Sequence, residues 1–261
     1  MNAKSLLRFI KDKERLFNEH TTAKDKWLIL NESLPFSDMP SAPLILDAGG
    51  GSVTAEIINN LFPTCTLFTA NINLQNTMNM IKCDIERDDL QQMLDKSFDM
   101  IFLMDVIEHL YDPDKAIVNL LNVLKNKGYL IISTPNLADI YNRIFLLFGY
   151  SLHNYNVSQW YKTGNPFIKD LSGKRHGNHK SIFTVKQLIE LLGQVHKLEM
   201  VYSKGYSYYE ADWLDYYDKS TRAALKMNAR LYSHNALRTL LNKLLPDSLR
   251  EGILLIMRKH D

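Results

Sequence analysis

Three groups of residues in this 261-residue chain have the types and spacing to do chemistry. The first is Asp47-Ala48-Gly49-Gly50-Gly51, an acid followed almost at once by three glycines. Such a turn lets backbone approach a ligand closely, and a helix starting after it aims unpaired N–H groups at that ligand. The second is Asp105-Val106-Ile107-Glu108-His109-Leu110, where a carboxylate stands beside an imidazole that titrates near neutral pH. That pairing suits removal of a proton from a hydroxyl nucleophile, and His179 is a second imidazole for the same task. The third is a basic run. Within residues 162–186, Lys162, Lys169, Lys174, Arg175, Lys180 and Lys186 face one acid, Asp170. It reads either as a solvated face or as an anion site for a phosphorylated substrate, and the neighbouring Tyr155, Trp160 and Tyr161 suit stacking on a sugar ring. The eight histidines show no ligand spacing and no Cys-x-x-Cys occurs, so the sequence predicts no metal site.

The elements that must position these groups alternate between strands and helices. Leu44-Ile45-Leu46 is a short buried strand ahead of the glycines. Ser52 is placed to cap a helix over 53–62, which Pro63 stops. The third glycine of a dinucleotide fingerprint is replaced by Thr54, and no Gly-Lys-Ser/Thr follows, so neither that fingerprint nor a P-loop is present. A second strand covers 66–71 and another lies near 79–83. About seven residues separate them, too few for the usual dozen-residue crossover, so the intervening helix is lost or reduced to a turn. Residues 100–104 form an apolar strand with the Glu108-His109 pair beyond its carboxyl end, where open α/β sheets bind ligands. Asp112 and Pro113 open a helix that Gly128 ends, and a fifth strand runs over 129–133. Ile140, Ile144, Leu147 and Phe148 mark an amphipathic helix, followed by a loop of about thirty residues of the length typical of lids. Thr184 caps a helix over 185–192, a sixth strand covers 197–202, an aromatic helical segment spans 206–245, and a last strand covers 253–257. Residues 1–34 read as two helices, the first with a stripe of Leu6, Leu7, Ile10, Leu16 and Phe17. The second is capped by Thr22 and carries Trp27, Ile29 and Leu30. Three prolines in 35–43 make a connector.

The stretch from Leu44 to Gly51 resembles motif I of the class I S-adenosylmethionine (SAM) methyltransferases. The segment from Phe98 to Leu110, with Thr134-Pro135-Asn136, is similar to the small-molecule and glycan subgroup that carries Glu-His-Leu after the fourth strand. The resemblance covers about 44–136. It implies an α/β fold: a Rossmann-like seven-stranded mixed sheet, order 3-2-1-4-5-7-6, with helices on both faces and a helical cap. Residues 1–42 are then N-terminal helices and connector, 43–136 the SAM-binding core, and 137–261 the cap plus the strand hairpin completing the same domain. It implies SAM as cofactor, with Asp47, Gly49 and Gly51 under its amino-acid part and ribose. Asn71 stands where the family has an acid for the ribose hydroxyls. A neutral amide offers one acceptor oxygen in place of two charged ones, and Asn73 is placed to share the role. Asp84 and the Ile85 N–H suit adenine's amine and ring nitrogen, Asp84 otherwise capping a helix over 88–94. Met104 completes the cofactor contacts. His109 and His179 compete as the base, His109 otherwise being an orienting histidine at the helix start.

Composition narrows the partners. A net charge of +2, with 46% hydrophobic and 23% charged residues, describes an ordinary globular chain of one core plus an elaborated cap. Nucleic acid is disfavoured by that charge and by the absence of motifs for base amines or cytosine. Cys65 and Cys83 read as reduced structural thiols. The N-terminus lacks a signal peptide's apolar core, and the longest apolar run, 144–148, is too short to span a bilayer, which together predict a cytoplasmic protein. The expected activity is O-methylation of a small molecule or of a glycan or nucleotide-sugar intermediate. The alternatives are a quinone or lipid acceptor, for which 144–148 offers apolar and peripheral-membrane contact, and a SAM-fold module that binds without catalysis. The sequence leaves the oligomeric state open.

Overall fold

The computed structural model describes residues 3–17, 24–33, 39–73, 77–152, 155, 158, 163–164, 179–195, 198–207 and 244–260. In order these form α1 (Ala3–Phe17), α2 (Asp25–Ser33), β1 (Leu44–Ala48), α3 (Ser52–Leu61), β2 (Thr66–Asn71) and β3 (Met80–Lys82). They continue with α4 (Leu90–Leu94), β4 (Phe98–Met104), α5 (Pro113–Val123), β5 (Leu124–Pro135) and α6 (Ile140–Leu147). Last come α7 (Val185–Val195), β6 (Leu198–Tyr206) and β7 (Gly252–Lys259). Thr22, most of the basic run and the aromatic segment at 208–243 lie outside the described residues.

The seven strands form one sheet in the order β3-β2-β1-β4-β5-β7-β6, as expected. The first five run parallel, and β7 lies antiparallel between β5 and β6. Strand residues alternate between two cores. Ile45, Met100, Phe102 and Ile131 bury against Leu6, Ile10, Trp27 and Ile57 from α1, α2 and α3. Leu46, Ile101, Leu103 and Ile132 bury against Leu90, Ile117, Leu120 and Leu188 from α4, α5 and α7. Strands covered on both faces need apolar residues at both parities, which is why 100–104 is unbroken. Every strand that feeds the site therefore ends on the same carboxyl edge, where its following loop is free to carry polar groups.

Several predicted boundaries shift, four of them with a clear cause. Ser52 is not the cap but the first residue of α3; Gly51 is the N-cap, and its N–H donates to the Thr54 hydroxyl at 2.8 Å. Asp89, not Asp84, caps α4 by accepting from the Gln92 N–H at 3.1 Å, and α4 starts at Leu90. The α5 helix does open at Asp112 and Pro113 but stops at Val123, because Leu124 already pairs with Phe98 in the sheet. Gly128 therefore lies in β5, and the Lys259 ammonium closes the helix end by donating to the Leu121 and Leu124 carbonyls at 2.7 and 2.8 Å. The sixth strand runs on to Tyr206, which is not helical: it pairs with Gly252 of β7. In the first stripe Leu6 and Ile10 are buried, whereas Leu16 and Phe17 are exposed. Thr184 does cap α7, its hydroxyl accepting from Gln187 N–H at 3.1 Å while the Gln187 side chain accepts from Thr184 N–H at 3.0 Å.

Candidate active site

The glycine turn is built around a buried acid. Asp47 is fully buried at the end of β1, directly beneath Gly50. Its Oδ2 accepts from the Thr54 hydroxyl at 2.6 Å, and that hydroxyl in turn receives the Gly51 N–H. Oδ1 has no hydrogen-bond partner among the described residues. Burial pushes the Asp47 carboxyl up to about 7, against the smaller opposing pulls of the Thr54 hydroxyl and the Lys26 ammonium. Gly49 has φ +86, a left-handed conformation, and a Cβ there would lie 2.5 Å from a methyl of Val106. Thr54 was not legible as part of the site. Its signal was present, since it stands three residues after the cap as a box residue should.

Asn71 is committed to this turn. Its side-chain amide donates to the carbonyls of Gly49 and Gly50, both at 2.9 Å, and its Oδ1 accepts from the Asn73 N–H at 3.0 Å. The amide is thus the right group for this geometry, because an acid would face two carbonyl oxygens. Asn71→Asp is expected to destabilise the fold by about 2 kcal/mol, roughly two hydrogen bonds. Urea unfolding reads this directly, and an equal or more stable variant would reject the role assigned to the amide.

The loop after β3 is held just as firmly. Asp84 accepts from the Glu86 N–H at 3.0 Å and lies 3.5 Å from Arg87 Nε, while its own N–H donates to Asp88 Oδ2 at 2.7 Å. Glu86 receives the N–H groups of Tyr111 and Asp112 at 2.7 and 2.6 Å, binding this loop to the segment that follows β4. Ile85 is buried, and its carbonyl accepts from the Asn119 amide at 3.0 Å. Cys83 is buried at the loop's start, with its thiol pushed up to about 12 by burial and then by Asp88 and Asp84. It stays a neutral structural thiol. Met104 is buried at the end of β4.

Beyond β4 stands a second cluster. Asp105 has φ +54, which a short polar side chain tolerates best. Its N–H donates to the Ser133 carbonyl at 2.9 Å; its Oδ1 accepts from the hydroxyls of Ser133 at 2.7 Å and Tyr206 at 3.3 Å. Its Oδ2 pairs with the ammonium of Lys26, which α2 carries down onto the carboxyl edge. Neither Lys26 nor Tyr206 was singled out for this place. A lysine on an amphipathic helix normally faces solvent, and burial of its charge requires a partner far away in sequence.

The Glu108-His109 pair follows as a 3-10 turn over Ile107–His109. Glu108 is buried; Thr134 donates its hydroxyl to Glu108 Oε2 at 3.1 Å. Burial, and next the Asp105 carboxylate, push its carboxyl up to about 8. The Glu108 carbonyl also accepts the N–H groups of Lys180 and Ser181, which docks the returning segment against the turn. That contact brings the two predicted histidines together. The rings of His109 and His179 meet edge to face with centroids 4.8 Å apart. One ligand atom from each of Glu108, His109 and His179 lies within 4.8 Å of the others. Linear spacing could not show this trio, because His109 follows β4 whereas His179 lies on the segment that returns before α7. The glycine turn and the histidines are physically continuous: Val106 packs under Gly49, and its carbonyl accepts the His109 N–H at 2.9 Å.

Comparison with known proteins agrees with this architecture. Residues 47–132 match the family model described as a methyltransferase domain. Over 118 residues the chain is 26% identical to the ubiquinone biosynthesis O-methyltransferase of Rickettsia typhi, covering 42% of this chain and 48% of that protein. The match thus spans about half the length of that curated relative. Among solved structures, an S-adenosylmethionine-dependent methyltransferase from Clostridium acetobutylicum superimposes with a TM-score of 0.55 at 12% identity, covering 97% of this chain and 98% of that one. The [4+2]-cyclase SpnF superimposes at 0.50 with 14% identity, covering 91% of this chain and 80% of that one. These likenesses show the fold, and the cyclase shows that the fold alone does not fix the reaction.

Proposed function

We propose that this chain, built around the methyltransferase domain at 47–132, is a SAM-dependent enzyme that methylates an oxygen of a small molecule. Two features of the turn fit the donor: Val106 and Asp47 leave no room for a Cβ at Gly49 and Gly50, so the turn is bare backbone there, and the buried Asp47 Oδ1 has an unused acceptor position. When bound, SAM supplies a methyl group on a positively charged sulfur, open to in-line attack by a nucleophile. Asp47 and the Gly49–Gly51 backbone would hold the amino-acid end, Asp47 facing its ammonium, and Asn71 would keep the turn in shape for the ribose. Asp84 and the Ile85 N–H would take the adenine, with Met104 closing the apolar wall. His109 and His179 would orient the acceptor hydroxyl and receive its proton. The observation that carries the reading is this imidazole pair at the carboxyl end of β4, one residue's backbone away from the glycine turn.

For the acceptor, the basic run with its interleaved aromatics favours a glycan or nucleotide-sugar intermediate. A quinol or other lipid is the second reading, supported by α6 and its end, where Ile144, Leu147 and Phe148 are 44%, 78% and 70% exposed. Among the described residues no helix is long and apolar enough to cross a membrane. Incubation with methyl-labelled SAM against nucleotide-sugars, polar glycans and quinols separates these readings. Label in the first two supports the favoured acceptor, and label in the quinol fraction replaces it. Binding of S-adenosylhomocysteine with no transfer to any acceptor would leave a module that binds and does not catalyse.

The same donor site has a pH signature. The α-ammonium that SAM and S-adenosylhomocysteine share favours the ionised Asp47 carboxylate, so below about 7 a proton must leave before binding is strong. Calorimetry with S-adenosylhomocysteine should show affinity rising from about pH 6 to pH 8, by up to about tenfold per pH unit at the steepest, then levelling. The slope should vanish in Asp47→Asn. A flat wild-type profile would mean that Asp47 does not face the ligand's charge.

A further inference from the structure

We propose that Glu108, His109 and His179 form a binding site for a first-row divalent cation. This deepens the O-methylation reading by adding a cation beside the acceptor, although the binding itself does not depend on that reading. The three side chains bring one carboxylate oxygen and two imidazole nitrogens within 4.8 Å of one another. A small inward movement of the rings would close them on a common ion. Two nitrogens and one oxygen suit zinc, manganese, iron or cobalt better than magnesium, which prefers oxygen alone. Three protein ligands also leave coordination positions for an outside oxygen, as reactive sites do and sealed structural sites do not. The burial pattern agrees, with Glu108 buried at the base, His179 half-buried and His109 exposed at the open side.

The surroundings are those of a supported ligand set. Thr134 fixes the Glu108 carboxyl, and the Glu108 carbonyl fixes the backbone of Lys180 and Ser181, next to His179. Among the described residues no lysine or arginine forms an ion pair with Glu108, whereas the neighbouring Asp105 has Lys26. A carboxylate oxygen of Glu108 therefore remains available to a cation from outside the chain, whose charge would add to the weaker pull of Lys26. An acceptor hydroxyl on that cation would lose its proton to water, and its oxygen lone pair would form the O–CH3 bond. The electron pair of the broken C–S bond would stay on sulfur. With both imidazole lone pairs on the ion, the histidines would act as ligands, and the proton-accepting role proposed for them above would hold only for the site without a cation.

The test uses the full-length, untagged protein, stripped with a chelator and titrated with Co2+ alone. We expect one Co2+ per chain with visible absorption bands, Zn2+ competing for the same site, and affinity falling by more than about a hundredfold in His109→Ala and His179→Ala. Thermal unfolding of each variant confirms that it is folded; His109 and His179 lie at the open side, so both should be. Failure to bind Co2+, or binding untouched by both substitutions, overturns the proposal. S-adenosylhomocysteine binding measured on the same samples separates the two readings. Retained binding without a cation site removes the cation alone, and a cation site without donor binding removes the methyl-transfer reading alone.

Discussion

Lys26→Met is expected to destabilise the protein by about 3–5 kcal/mol, the cost of leaving one member of a buried ion pair without its partner. The Lys26 side chain is 3% exposed and that of Asp105 13%. Methionine keeps the length and apolar stem of lysine, so the variant removes charge and little packing. What remains at Asp105 is a carboxylate out of water, held by the Ser133 and Tyr206 hydroxyls on a backbone at φ +54. The Lys26 ammonium also holds down the carboxyls of Asp47 and Glu108, so the variant shifts both upward. Lys26 is therefore the cation on which three acids at the sheet edge depend. Adding Asp105→Asn should recover most of the lost stability, because the charge stranded by the first change is removed by the second. A double-mutant cycle in urea measures this. A cost under about 1 kcal/mol for Lys26→Met alone would show that α2 is not seated on β4 in solution.

That prediction touches what sequence could and could not show. The glycine turn, the apolar run of β4, the Asp112-Pro113 start of α5 and the Thr184 cap of α7 are local patterns. Each is decided by residues within a turn or two of one another, and each was legible. The sheet order came with the resemblance, since strand pairing across the chain leaves no local mark. The boundaries that moved are those where pairing overrode local preference. Leu124 leaves its helix because Phe98 offers a sheet partner, and Ser203 to Tyr206 stay extended because β7 runs opposite. In the site, Asp47, Gly49, Gly51 and Glu108-His109 stand on such local patterns. Lys26, Ser133 and Tyr206 were missed because polar burial depends on a partner met only in the fold, whereas Thr54 carried a local signal as the box residue. The junction of His109 with His179 was invisible for the same reason. Two imidazoles that compete for one role in the sequence become neighbours once the returning segment hydrogen-bonds to Glu108.

Gly50→Ala should abolish donor binding and cost about 3 kcal/mol of stability, the upper range for overpacking a tight site. A Cβ at Gly50 would lie 1.8 Å from Asp47 Oδ2 and 2.2 Å from its carboxyl carbon. No real contact is that short, so either the turn or the acid must move. The acid cannot swing away cheaply, because it is fully buried and its Oδ2 is held by Thr54. The turn cannot rise without breaking the Asn71 bonds to the Gly49 and Gly50 carbonyls. Strain at one methyl group is thereby passed to the whole loop that faces the ligand. S-adenosylhomocysteine affinity should fall by more than about a hundredfold, equivalent to about 3 kcal/mol. The cause can be isolated by removing the obstacle. Asp47→Ala makes room for the new methyl, so Asp47→Ala with Gly50→Ala should be less destabilised than the two single costs added together. Strict additivity would mean that the collision is not the reason, and that Gly50 is required for the path of its backbone alone.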